Sequence, residues 1–120
     1  MKKSILLSLT AAAALAVGLA GPASAEIKIG STLAVTGGAS FLGDPEAKTL
    51  KMLVDQVNAA GGVNGEKLEL VQYDDGGNPN KARTFATRLV EDDEVVAVIG
   101  GSTTGATMAM IPVFEEAKIP

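Results

Sequence analysis

The chain has 120 residues, with ten Lys and Arg against fourteen Asp and Glu for a formal charge of −4, and it contains no histidine, cysteine or tryptophan. Within these residues that rules out thiol and imidazole catalysis, His/Cys metal sites and disulfides, and no cofactor is expected. The acidic balance also argues against a nucleic-acid partner, which needs a basic face.

The first segment reads as an export signal. Lys2 and Lys3 precede an apolar stretch from Ile5 to Ala20, and Ala23-Ser24-Ala25 supplies the small-residue pattern at which a secretory signal peptide is cleaved. A membrane span is the competing reading, but the apolar run is shorter than the ~20 residues a span requires, and Gly21 and Pro22 close it. Cleavage after Ala25 would make Glu26 the first residue. No cysteine follows to accept a lipid, so a soluble periplasmic protein is expected. The leader carries two of the ten basic residues and none of the acidic ones, so eight face fourteen in residues 26–120, a net charge of −6.

Ile27 to Leu33 reads as a strand that opens into Leu33-Ala34-Val35-Thr36-Gly37-Gly38-Ala39-Ser40-Phe41-Leu42-Gly43. A strand followed by Thr-Gly-Gly-Ala-Ser is similar to the dinucleotide loop of short-chain dehydrogenases. Phe41 stands where that pattern needs a glycine, and it blocks close approach of a pyrophosphate. A flexible loop with no ligand role is the plain alternative for this segment.

A helix is predicted from about Pro45 to Ala60, because Leu50, Leu53, Val54, Val57 and Ala60 recur at helical intervals. Asp44 would cap it with Pro45 at its first position, and Gly61-Gly62 would stop it. A strand follows, from about Lys67 to Tyr73. The turn after it, Asp74-Asp75-Gly76-Gly77-Asn78, suits a helix cap better than acid/base or metal chemistry, since no third oxygen ligand stands at a helpful spacing. Asn78-Pro79 begins the second helix, Pro79 to Glu91, whose apolar face is Ala82, Phe85, Ala86, Leu89 and Val90.

Val95 to Ile99 is β-branched and almost wholly apolar, as expected for a strand buried on both faces of a parallel sheet. It opens into Gly100-Gly101-Ser102-Thr103-Thr104-Gly105-Ala106-Thr107, where free backbone N–H groups and hydroxyls converge at a helix start and suit a small anionic group. The third helix, about Gly105 to Ala117, carries Ala106, Ala109, Met110, Val113 and Ala117 on one face. Pro112 inside it predicts a kink, or two short helices. Ile119-Pro120 reads as the lead-in to a fourth strand of a longer protein.

The whole is βαβαβα, an α/β fold with a parallel sheet and helices on both faces. In the common strand order 2-1-3, ligands bind in the gap between the carboxyl ends of strands one and three. That gap lies between Val35 to Gly43 and Gly100 to Gly105, with the loop after strand two off to the side.

From Ile27 to Pro120 the sequence resembles the branched-chain amino acid (leucine/isoleucine/valine) binding proteins of ABC transporters, with the type I periplasmic-binding fold. The resemblance rests on Leu42-Gly43-Asp44, Val57-Asn58-Ala59-Ala60-Gly61-Gly62-Val63-Asn64-Gly65, Tyr73-Asp74-Asp75, Asn78-Pro79-Asn80-Lys81-Ala82, Val98-Ile99-Gly100, Ala106-Thr107 and Glu115-Glu116-Ala117. It implies that residues 26–120 are the N-terminal part of the first of two lobes. These lobes would close on a solute and present it to a membrane permease, with no bond chemistry. It also implies that the Thr104 hydroxyl, doubling as a helix N-cap, holds the solute's α-carboxylate, with Ser102, Thr103 and Thr107 around it. Leu42 falls where some members set a large aromatic against the solute's side chain, which counts against leucine specificity. Gly77 and Thr103 stand where some members have a bridging cysteine pair. Two other classes share the fold: a sensory receptor's ligand-binding domain, and an α/β enzyme with its catalytic groups elsewhere.

Overall fold

The computed structural model describes residues 26–120, so the signal-peptide reading lies outside the described residues. The elements are β1 (Ile27–Leu33), α1 (Ser40–Ala59), β2 (Leu68–Asp74), α2 (Pro79–Glu91), β3 (Ala97–Gly100) and α3 (Thr104–Ala117). The strands form one parallel sheet in the order β2-β1-β3. Ile27 pairs with Leu68 through to Leu33 with Asp74 on one side of β1, and Ile29 pairs with Ala97 through to Thr32 with Gly100 on the other.

Alternation along β1 assigns the two layers. Gly30 faces α2: a Cβ there would lie 3.0 Å from Leu89 Cδ2 and 3.1 Å from Val95 Cγ2. Small residues let α2 and α3 pack closely, and Ala82, Ala86, Ala106 and Met110 form a buried cluster with Val113 and Phe114 against it. On the opposite layer α1 buries Gly43, Ala47 and Val54 and packs on β1 and β2.

Several boundaries differ from the sequence reading for physical reasons. α1 begins at Ser40 instead of Pro45, with Ala39 at the N-cap and no side-chain cap bond, so Asp44-Pro45 is not its start. Gly43 explains this. A Cβ at that position would collide with the Ala34 carbonyl, so the first turn is seated directly on the end of β1. Pro45 leaves the Phe41 carbonyl without its i+4 donor, but Phe41 is exposed and water can serve it. Asp44 instead pairs with Lys48, 2.6 Å away. β2 is shifted by one residue from its expected bounds.

α2 has the predicted bounds, and the Asn78 side chain accepts from the N–H groups of Asn80 and Lys81. α3 runs unbroken through Pro112, one helix where two short ones were an option. The carbonyl that Pro112 leaves unpaired belongs to Met108, on the exposed side.

β3 starts later than expected, because the Val95 N–H turns back to the Leu89 carbonyl and Val96 is the first residue to bond β1, through Lys28 O. The strand is not buried on both faces: Ile99 is 53% exposed, with Val96 and Leu53 also open. Between α1 and β3 runs a groove of about 470 Å³ lined by Pro45, Glu46, Thr49, Leu50, Leu53 and Ile99. The Pro120 carbonyl accepts from the Val98 N–H at 2.9 Å, which lays the chain after α3 along the free side of β3.

Candidate functional site

The chain leaves β1 toward the α1 layer and β3 toward the α2/α3 layer. The carboxyl ends of these adjacent strands therefore diverge and leave a crevice, as in any open sheet at the point where its strand order reverses. Residues 34–39 form one wall and residues 101–103 the other.

Three successive amides of the first wall are held by side chains. The Ala34 N–H donates to Ser102 Oγ at 3.0 Å, and those of Val35 and Thr36 donate to Asp74 Oδ1 at 2.9 and 3.1 Å. The Thr36 hydroxyl reaches Asp74 Oδ2 at 2.6 Å, and the Gly76 N–H reaches Oδ1 at 3.0 Å. Burial pushes the Asp74 carboxyl up, but these donors outweigh it and hold the group below its ordinary value. The loop after β2 is thus not off to the side. Asp74 pairs in register with Leu33, the last residue of β1, so its side chain stands beside the exit of that strand. Next to it, Asp75 is fully buried and accepts from Thr32 Oγ1 and the Gly77 N–H.

The second wall is built by α3. Thr103, not Thr104, is its N-cap: Thr103 Oγ1 accepts from the Ala106 N–H at 3.3 Å. The Thr107 hydroxyl donates within the turn, shared between the carbonyls of Thr103 at 3.0 Å and Gly101 at 3.3 Å. A Cβ on Gly101 would collide with that hydroxyl. The first intrahelical bond runs from Thr107 N to Thr103 O, so the N–H groups of Thr104 and Gly105 precede the helical ladder and are free by geometry. Thr104 is exposed, and among the described residues its hydroxyl has no hydrogen-bond partner. A hydroxyl and two amides at the positive end of a helix make an anion cradle.

The structure therefore gathers Ser102, Thr103, Thr104 and Thr107 at one helix start, with different duties. Thr103 and Thr107 shape the turn, Ser102 ties it to the first wall, and Thr104 is the one left unengaged. Leu42 lies in the first turn of α1, 40% exposed. Gly77 and Thr103 do meet: a Cβ on Gly77 would lie 3.9 Å from Thr103 Cγ2. Sequence reasoning missed Asp74 as a clamp and Glu46 altogether. The Ser102 hydroxyl donates to Glu46 Oε2 at 2.5 Å.

The profile described as periplasmic binding protein matches residues 26–120. The chain belongs to this family of periplasmic binding proteins. It is 41% identical over 115 residues to the Leu/Ile/Val-binding protein homolog 7 of Brucella melitensis, covering 96% of this chain and 28% of that protein. An amino acid binding protein of Pseudomonas aeruginosa is 36% identical over 103 residues, covering 86% of this chain and 28% of that one. Among solved structures, the branched-chain amino acid transporter substrate-binding protein LivJ of Streptococcus pneumoniae, in complex with isoleucine, superposes with a TM-score of 0.78 at 35% identity. That match covers 80% of this chain and 28% of that one. The α/β architecture of this periplasmic binding protein is thus shared with relatives of which it spans 28% of the length.

Proposed function

We propose that residues 26–120 are the first lobe of the solute-binding component of an ABC importer, and that the whole protein takes up an amino acid between two lobes and hands it to a membrane permease. The observation that carries this reading is the unengaged helix start at Thr104 and Gly105, facing a loop whose own amides are already taken by Asp74 and Ser102. A preordered wall opposite a free anion cradle receives a carboxylate without first having to be organised. Thr104 Oγ1 and the two amides bind the solute's α-carboxylate, Leu42 packs against its variable side, and Ser102, Thr103 and Thr107 hold the turn in shape. Closure of the second lobe follows from tighter binding in the closed state. The role in this reading is binding and presentation, with no bond chemistry, as in the substrate-binding proteins that the chain is similar to.

Export fits the same role, with cleavage after Ala25 and a soluble periplasmic product that N-terminal sequencing should find starting at Glu26. The function itself is tested by calorimetry of the full-length protein against an amino-acid panel. At least one member should bind at one site per chain, and its decarboxylated amine should not. If no member of the panel binds, the reading falls.

A further inference from the structure

Pairing between β1 and β3 ends at Thr32 with Gly100, and past that point the strands no longer hold each other. Among the described residues, the two hydrogen bonds that cross the crevice end on one hydroxyl. Ser102 Oγ accepts from the Ala34 N–H at 3.0 Å and donates to Glu46 Oε2 at 2.5 Å. It thereby joins the exit of β1, the second turn of α1 and the loop that leads into α3.

The two bonds do different work. Ala34 is fully buried, so its N–H needs a partner within the protein, and Ser102 supplies it. Glu46 is exposed, and its bond satisfies no buried group. It acts on the hydroxyl instead: with its proton committed to a carboxylate, Oγ turns a lone pair toward the Ala34 amide and accepts more strongly there. Ser102 is pinned from two sides. The next residue, Thr103, caps α3, and the one after it, Thr104, carries the free hydroxyl. The loop has little slack on the α3 side, since a Cβ on Gly101 would lie 3.1 Å from Met110 Cε and collide with Thr107 Oγ1. A shift of Ser102 is therefore passed on to the helix start.

We propose that Glu46 and Ser102 form a clasp that sets the separation of the crevice walls and so positions the Thr104 cradle, with Glu46 a positioning residue that does not touch the solute. This rests on the reading above, in which that cradle holds the α-carboxylate. Every amino acid carries this group, so the clasp governs affinity and leaves selectivity alone.

The test is calorimetry of the full-length protein and its variants against the proteinogenic amino acids, with melting temperatures. Glu46→Ala should weaken every amino acid that the parent binds by one common factor, about three- to tenfold, the net worth of one hydrogen bond. Its melting temperature should stay near the parent's, whereas Ser102→Ala, which strands the Ala34 amide, should melt earlier. Glu46→Gln keeps an acceptor for the Ser102 hydroxyl and should restore most of the lost affinity. On a Thr104→Ala background, Glu46→Ala should cost less than it does in the parent, because part of what it positions is gone. Strictly multiplicative losses in that double variant overturn the proposal, as does parent-like binding by Glu46→Ala. Equal losses in Glu46→Gln and Glu46→Ala also overturn it, since they make the charge a direct contact to the solute's ammonium. Each of these results leaves the amino-acid reading standing, whereas failure of the parent to bind any amino acid overturns both.

Discussion

Two adjacent threonines divide what one was expected to do. Thr103 caps α3 and the Thr104 hydroxyl is left free, so capping and the proposed ligand contact can be separated by mutation. Thr103→Ala should lower stability by about 1 kcal/mol, the usual cost of a lost cap. Thr104→Ala in the full-length protein should leave the melting temperature nearly unchanged and weaken amino-acid binding roughly ten- to a hundredfold, the value of a hydrogen bond to a charged group. Calorimetry and thermal melts of both variants check this, and an affinity loss confined to Thr103→Ala would move the site. The hydroxyl cluster was legible because a Gly/Ser/Thr-rich run after an apolar strand has few other uses. Which hydroxyl caps and which is free was not, because that depends on a single residue of helix phase. Asp74 was misplaced because strand register, not spacing, brings it to the exit of β1. Its carboxyl is held below the ordinary value of 3.8, so the folded state gains from it above that pH and loses the gain as pH falls through the lowered value. Asp74→Asn removes that titration. The acid limb of stability should flatten below about pH 4 in denaturant titrations of the variant, with a loss of about 1–3 kcal/mol at neutral pH.

At the scale of elements, periodicity located all three helices, and packing decided where they begin. α1 starts five residues before the Asp-Pro signal because Gly43 seats its first turn on Ala34. No composition rule reports that contact. α2 kept its predicted bounds because its signals are local, an Asn cap and a proline at the first position. The prolines in α1 and α3 were read as a start and a break, yet each leaves unpaired only a carbonyl on the exposed side, at Phe41 and Met108. Gly43 provides a test by sign. In an exposed helix interior Gly→Ala gains about 1 kcal/mol, but here the added methyl meets backbone that cannot rotate away, so Gly43→Ala should cost about 1–3 kcal/mol. A denaturant melt of Gly43→Ala showing increased stability would mean that α1 is not seated on the end of β1.

For the molecule as a whole, the parallel sheet in the order β2-β1-β3 was expected and is present, but the expectation that β3 is covered on both faces fails for residues 26–120. α1 leans on β1 and β2, so Ile99 at 53% exposure and Leu53 at 48% line an open groove, and Met108 at 62% adds apolar surface on α3. Apolar area left in water contributes nothing to folding, at about 25 cal/mol for each Å² not buried. A chain of this size has little to spare, since small domains bury a smaller fraction of their surface. Residues 26–120 expressed alone should therefore melt broadly and bind a hydrophobic dye at room temperature. A full-length protein whose later segments cover β3 should melt cooperatively and bind little dye. Replacing Ile99 with Thr in the isolated piece should reduce dye binding without sharpening the melt, because it removes exposed apolar area and adds no packing partner. A sharp, cooperative transition for residues 26–120 alone would show that α1 and β1 to β3 close a sufficient core by themselves, and that the Ile99 groove is ordinary surface.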